Sequence, residues 1–363
     1  MEKMTAKERI GNILKRRPVD RIGVFEEFWE DTLRKWTKEG HAPDVNHTSD
    51  FQQHFNLDME KPWPFNFIAN LDFVDEVVEE TDELILIRNG DGALLRHHKL
   101  HVTTPEHVDY LVKERKNWEE YIKPLLKADS RRIDFDSYRK HKQRAEKDNR
   151  FVMGSSWNVF QVMANVCGHE NLLMGMALDP DWVKDMVTNY SRLSIEMHEI
   201  LFEKEGYPDG LFLMEDLGFK GKPFMSPTMF REIIKPAYKE FVSYAKSKSL
   251  PVLFHSCGYV EPLIPDLIDI GIDCLTALEV KAGMDLIKLY KQYGEVLSFM
   301  GGIDTCVIES NDKSLIDKEL EEKIPIVKGN YGFILSSDHS IPDTVEYETY
   351  EYFIEKGLDL GKY

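Results

Sequence analysis

Apolar and polar positions change period several times along the chain, and each change marks an element. Between Thr5 and Arg16, Ile10, Ile13 and Leu14 fall on one side of a helical wheel. With Thr5 as a cap and Pro18 as a stop, the spacing predicts an amphipathic helix over about 5–16. Arg21-Ile22-Gly23-Val24-Phe25 is a short, mostly apolar run that suits a strand. Lys61–Phe73 is rich in proline and aromatics and reads ambiguously, with a strand guessed near Asn66–Asn70. Leu84–Val102 carries the turn formers Asn89-Gly90-Asp91-Gly92 between two strand-like runs, which predicts a β-hairpin inserted beside the main fold. Pro105–Arg150 is charged and helix-forming.

The second half is more regular. Strand-like runs stand at Arg150–Ser155, Gly210–Glu215, Leu250–His255, Ile272–Leu275, Glu295–Met300 and Tyr331–Leu335. Helical spacing fills segments between them, such as Pro227–Ser247, Val260–Ile270 and Met284–Tyr293. Strands alternating with helices imply βαβ units and a parallel sheet. With Ile22–Phe25 and the guess near Asn66–Asn70 the count reaches about eight, the number that closes a barrel. The expected fold is α/β, a (β/α)8 TIM barrel over 1–363 as one domain, with an N-terminal helix and the hairpin insertion at about 84–102. A doubly wound sheet would usually show a glycine-rich phosphate loop, and neither GxGxxG nor GxxxxGK[ST] occurs.

Composition narrows the partners. The chain has 363 residues, 42% of them hydrophobic, and a formal net charge of −18. That charge repels phosphate backbones and anionic membrane surfaces, which argues against nucleic acid and membrane partners. No run approaches the roughly 20 apolar residues that span a bilayer. The first eighteen residues carry charges throughout, unlike a signal peptide, so a cytoplasmic location is expected. Four cysteines in a chain of this length suggest a reducing compartment rather than a disulfide framework. Cys167, Cys274 and Cys306 are read as structural.

In such a barrel, active-site residues come from the C-terminal ends of strands. Those positions read Ser155-Ser156-Trp157, Glu215-Asp216, His255-Ser256-Cys257, Gly302-Ile303-Asp304 and Asp338-His339. The sharpest is His255-Ser256-Cys257-Gly258. In an extended segment residues i and i+2 point the same way, so imidazole and thiolate can share one ion. Zn²⁺ takes N and S donors at about 2.0–2.3 Å. A third ligand is expected from His339 or Glu215, leaving an open position for chemistry. His339, Glu215 and Asp304 are the candidate catalytic groups. Phe25, Phe28, Trp29, Met153, Trp157 and Phe160 flank strand ends and are candidate substrate contacts.

Five segments carry a resemblance to a known family: RPVDRIGVFEEFW, MEDLGFKGKPFMSPTMFREIIKPAYK, LFHSCGYVEPLIPDLIDIGIDCL, VLSFMGGIDT and GFILSSDHSIPDTV. In this order the chain resembles the uroporphyrinogen decarboxylase superfamily, and within it the zinc-dependent corrinoid methyltransferase branch. The resemblance implies a (β/α)8 barrel with its pocket at the C-terminal face. Where the decarboxylase carries arginines for its polycarboxylate substrate, this chain reads Phe25-Glu26-Glu27-Phe28-Trp29, which argues against that substrate and places Glu26 among the substrate-facing residues. The HxC pair resembles the zinc ligands of the methyltransferase branch. Members that methylate a thiol carry a further cysteine near the last strand, where His339 stands here. A neutral imidazole in place of a thiolate makes zinc more Lewis acidic and suits an ether oxygen as leaving group.

The expected function is therefore transfer of a methyl group from an O-methyl donor, a phenyl methyl ether, to the Co(I) corrinoid (cobalamin) of a separate protein. The DxHxxG signature of corrinoid-binding modules does not occur here, which is why the corrinoid is assigned to a partner protein. The alternatives are transfer from methyl-corrinoid to a thiol or tetrahydrofolate, and a non-catalytic barrel that binds a corrinoid protein or a metabolite. The assembly is left open, with a homodimer as one option.

Overall fold

The computed structural model describes residues 3–41, 50–101 and 104–363. Eight parallel strands form the barrel: β1 (Gly23–Val24), β2 (Met59–Glu60), β3 (Phe151–Trp157), β4 (Gly210–Glu215), β5 (Val252–Ser256), β6 (Cys274–Ala277), β7 (Ser298–Met300) and β8 (Phe333–Leu335). Their order around the sheet is β1-β8-β7-β6-β5-β4-β3-β2. The remaining seam, between β1 and β2, is bridged by Asp58 N donating to Val24 O at 2.9 Å. The expected (β/α)8 fold is thus present.

Two cores follow from the alternation of side chains along each strand. Leu211, Leu213, Val252, Phe254, Leu275, Phe299, Phe333 and Leu335 point outward into the layer of helices. Phe151, Met153, Phe212, Leu253, Cys274, Met300 and Ile334 point inward. The N-terminal helix α1 (Ala6–Ile13) plugs the bottom of the barrel with Ile10 and Ile13, and its Thr5 cap forms a capping box with Glu8. The outer helices include α2 (Glu30–Lys38), α3 (Phe135–Asp148), α4 (Val159–Leu178) and α5 (Pro180–Glu205).

The strand guessed near Asn66–Asn70 is not one; β2 lies earlier, at Met59–Glu60. The backbone of the guessed segment bonds elsewhere. Asn66 N donates to Arg132 O, and Asn70 N to Gly90 O. The buried Arg132 guanidinium meets the carbonyls of Asn66, Ile68 and Ala69. With those groups satisfied, nothing drives the segment into the barrel ladder.

The expected hairpin forms, as Leu84–Arg88 and Leu94–His98, but it is the centre of a larger sheet. Glu76–Glu80 and Glu106–Asp109 add a strand on either side, giving four antiparallel strands. The second of these falls within the stretch read as helix-forming. The Val102 end of the expected hairpin lies outside the described residues. Tyr110 docks this insertion onto α4 at Gly168, where φ is +76° and an added Cβ would lie 2.5 Å from the Tyr110 ring.

Cys167 and Cys274 are buried, whereas Cys306, expected to be structural, is exposed. Among the described residues no helix is long and apolar enough to cross a membrane.

The β1–β2 seam rests on one carboxylate. Asp58, 1% exposed, accepts from Arg9 Nη1 at 2.8 Å, from Arg21 Nη1 at 2.7 Å and from Val24 N at 2.9 Å. Removing it takes the only carboxylate from Arg21, leaves Arg9 with Asp20 alone, and strips the Val24 amide of its acceptor at the seam. Asp58→Ala is expected to lower unfolding free energy by about 3 kcal/mol, measured by urea titration. A loss within the ordinary surface range of about 0.5 kcal/mol would rule this role out.

Candidate functional site

Beyond the inward core, the same strand parity continues to the barrel mouth. Met214 and Asp216 follow Phe212, His255 and Cys257 follow Leu253, Thr276 follows Cys274, and Ser336 follows Ile334. All of them line one cavity of about 710 Å³. Register explains the grouping: His255 pairs with Met214, and Ser256 with Glu215. The next residues on both strands, Cys257 and Asp216, therefore turn inward together.

Asp216, His255 and Cys257 each offer one ligand atom within 4.8 Å of the others. His255 Nε2 lies 3.3 Å from Cys257 Sγ and 4.0 Å from Asp216 Oδ1. Donors at about 2.0–2.3 Å from a tetrahedral ion stand roughly 3.3–3.8 Å apart; the His255–Cys257 pair matches that spacing and the His255–Asp216 pair is slightly wider. Burial lowers the His255 pKa to about 3, with Lys61 and His339 adding to the effect, which leaves its lone pair free to bind. Burial also raises the Asp216 carboxyl and pushes the Cys257 thiol well above its ordinary value, the latter helped by Asp216 and Glu279. A cation would reverse both penalties by displacing their protons.

The two loops are laced together. Leu217 N donates to Ser256 Oγ at 2.9 Å, Cys257 N to Asp216 Oδ1 at 3.3 Å, and Tyr259 N to Phe219 O at 3.0 Å. Gly258 has φ +77° and crosses so close that an added Cβ would sit 2.1 Å from the Gly218 carbonyl carbon. Only glycine permits that crossing.

The uroporphyrinogen decarboxylase (URO-D) family model matches residues 102–357, most of the chain. The protein belongs to the uroporphyrinogen decarboxylase family. A solved structure described as a methyltransferase from Methanosarcina mazei has a TM-score of 0.66 at 15% identity and covers 98% of each chain. At that identity the likeness bears on the fold. No curated protein matches the sequence.

Within this family member, the residues singled out in the sequence divide. Phe25, Glu26, Trp29, Trp157, His255, Cys257 and His339 line the cavity. His339 stacks on Trp29 with centroids 6.1 Å apart and lies outside the three-donor group. Glu215 points the other way, out of the barrel. Its buried carboxylate accepts from Phe160 N at 3.0 Å, Gln161 N at 2.8 Å and the Tyr238 hydroxyl. It thus serves the first turn of α4 rather than the cavity. Asp304 is the cap of Thr305–Glu309, accepting from Cys306 N at 2.9 Å. Phe28 packs among Trp36, Phe51 and Tyr350, Phe160 beneath Phe224, and Met153 in the barrel interior. None of Glu215, Asp304, Phe28, Phe160 or Met153 lines the cavity.

Other contributors were not singled out from the sequence as site residues. Lys61 is buried over the Phe212 ring at 4.1 Å and ion-paired to Glu27; burial lowers its pKa, and Glu27 opposes the shift. Phe65–Ile68 and Asn89, Leu95 and His107 of the insertion wall the outer cavity. Asp216 was adjacent to the chosen residue, and the i, i+2 step from Phe212 reaches it.

Glu26 yields a measurable consequence. It is 2% exposed, and burial lifts its pKa from 4.5 to about 8 against hydrogen bonds from Ser337, Glu27 and Ser336. The folded protein therefore holds a proton that the unfolded chain releases in this window, so stability falls as pH rises through it. Urea unfolding between about pH 5 and pH 8 should show that fall, and Glu26→Gln should flatten it by up to about 1.4 kcal/mol per pH unit. Equal slopes in the two proteins would exclude Glu26 as the source.

Proposed function

We propose that the protein is the methyltransferase component of an O-demethylase-like system. On this reading it moves a methyl group from an uncharged O-methyl donor, a phenyl methyl ether, to the reduced corrinoid of a separate partner protein. The observation that carries the reading is the Asp216–His255–Cys257 cluster at an aromatic-walled cavity. A family of this fold and a methyltransferase with the same architecture are compatible with it.

Asp216, His255 and Cys257 would hold the zinc ion. When bound, zinc supplies Lewis acidity towards the ether oxygen, easing departure of the phenoxide. The chain's own residues do the rest. Trp29 and Trp157 offer flat apolar faces that hold an aryl ring and displace water. Glu26, kept protonated near neutral pH by burial, adds a hydrogen-bonding group without a charge. Lys61 is neutralised by Glu27, so the inner cavity presents little net charge to a substrate.

Ligand charge no longer favours one direction of transfer. With Asp216 rather than a second imidazole completing the set, two ionised ligands balance a divalent ion. The support for an ether donor comes instead from the aromatic walls and the scarcity of fixed charge.

Purified protein is expected to contain about one zinc per chain. Asp216→Ala and Cys257→Ser should each lose the metal by elemental analysis. Glu215→Ala should retain it while losing about 2 kcal/mol of stability, because two backbone amides at the start of α4 lose their acceptor. The reverse pattern, metal lost with Glu215 and kept without Asp216, would overturn the ligand set.

The reaction itself is checked by mixing enzyme, reduced corrinoid partner and a panel of donors, following methyl-Co(III) absorbance. Phenyl methyl ethers should react in preference to methanol or methylamines. Activity seen only from methyl-corrinoid towards a thiol or a folate would select the opposite half-reaction.

A further inference from the structure

Glu26 sits where two loops of the barrel mouth meet. One follows β1 and carries Trp29; the other follows β8 and carries His339. Their backbones are laced, with Trp29 N donating to Ile341 O at 3.1 Å and Ile341 N to Glu27 O at 2.8 Å. Across the junction the Trp29 and His339 rings stack, with centroids 6.1 Å apart, and both line the cavity.

The hydrogens at Ser337 do not suffice for an ionised Glu26. Ser337 Oγ lies 2.8 Å from Glu26 Oε1 and also bonds the His339 carbonyl oxygen. A carboxylate and a carbonyl only accept, and a serine hydroxyl has one hydrogen to give. With Glu26 ionised, one of the two contacts would set lone pairs against lone pairs. Thr305 Oγ1, 3.4 Å from the same carbonyl, gives its own hydrogen to Asp338. A proton on Glu26 Oε1 resolves the count: Oε1 donates to Ser337 Oγ, and Ser337 donates to His339 O. Oε2 is the wrong atom for that proton, because it faces a donor, Ser337 N, at 2.9 Å. The other contacts to Oε1 are longer, 3.1 Å from Glu27 N and 3.3 Å from Ser336 Oγ, as suits the weaker acceptor that a carboxylic hydroxyl is.

The surroundings agree. Among the described residues no lysine, arginine or histidine pairs with Glu26. Glu27 beside it takes the charge of Lys61. Tyr350, on the helix Tyr347–Leu360, is kept un-ionised by burial and by Glu26 itself. Asp338 turns away to Val280 N at 2.8 Å and Thr305 N at 2.9 Å, and the His339 ring faces Trp29.

We propose that Glu26 is a positioning residue whose un-ionised carboxyl, acting through Ser337, holds His339 against Trp29 and so shapes the cavity wall that takes the aryl group. Ionising Glu26 draws the Ser337 hydrogen towards it, the His339 carbonyl loses its donor, and the wall loosens. The neutral acid is thus the competent form, and burial lifts its pKa to about 8. Aryl binding is full below that pH and falls as pH rises through it. The aryl ligand rests on the proposed reaction; the hydrogen-bond chain rests on the geometry at Ser337.

Two measurements on the purified protein test this. Infrared difference spectra of wild type against Glu26→Gln should show the C=O stretch of a protonated carboxyl at about pH 6 that is gone by about pH 10. Anisole binding, read from tryptophan quenching, should weaken about fivefold or more over that range in wild type, the worth of one net hydrogen bond. A glutamine donates to Ser337 Oγ and accepts from Ser337 N as the neutral acid does. Glu26→Gln should therefore rescue anisole affinity to within about twofold of the wild type at about pH 6 and lose the pH dependence. Ser337→Ala breaks the chain and should bind anisole about fivefold more weakly at about pH 6. Absence of the protonated-carboxyl band overturns the proposal, as does equal pH dependence in wild type and Glu26→Gln, or unchanged binding in Ser337→Ala. Wild type that shows the band yet binds no anisole at any pH sinks the aryl-ether reading. The chain is then judged by the band itself, which Ser337→Ala should shift in frequency; an unshifted band overturns it.

Discussion

Every barrel strand is buried on both faces, and the site inherits its geometry from that one constraint. Successive side chains must leave a strand on opposite sides. Phe212, Leu253, Cys274 and Ile334 fill the barrel, so their odd neighbours fill the layer beneath the helices. The rule does not stop where the apolar residues stop. Two residues beyond the interior plug the inward positions become His255 and Thr276, and four beyond they become Asp216 and Cys257. A polar cluster at the mouth is thus the continuation of the hydrophobic stack below it. The same rule sends Glu215 outward, where burial would be costly had it not met the amides of α4 and the hydroxyl of Tyr238.

The insertion after β2 has a different part. A barrel mouth alone is a shallow bowl; the four-stranded sheet and the Asn66–Ala69 loop raise its rim into a deep cavity. Their placement depends on buried polar contacts. Arg132 gathers the loop carbonyls, Asp91 accepts from Ala69 N at 2.7 Å, and Tyr110 packs against a helix that has only a hydrogen atom at Gly168. The inner cavity is therefore barrel architecture and the outer cavity is insertion architecture.

Much of the barrel was legible because its signals are local. Strand-like runs located seven of the eight strands to within a few residues, and Thr5 with Pro18 marked the first helix. The two-residue β2 has no apolar run around it of the kind that flags the equally short β1, which is why it was sought at Asn66–Asn70 instead of Met59–Glu60. A turn of the Asn89–Gly92 kind announces a hairpin, but nothing local reveals that strands on either side will join it. Aromatics near strand ends were a mixed guide: Trp29 and Trp157 face the cavity, while Phe28 and Phe160 pack behind it.

The sequence by itself determined the alternating α/β order, the pairing of His255 with Cys257 on one side of a strand, and the family. Only the tertiary structure brings Asp216 beside that pair. Gly210-Leu-Phe-Leu-Met-Glu215 is apolar on both faces, so its own pattern does not say which face looks inward. That choice is made by hydrogen-bond register with β5, which sets Met214 beside His255 and hence Asp216 beside Cys257. Likewise, one cavity joins Gln161 of α4 and His107 of the inserted sheet, residues 54 positions apart. Strand periodicity reports directions relative to the chain, whereas a site is a matter of positions relative to other chain segments, and packing supplies those.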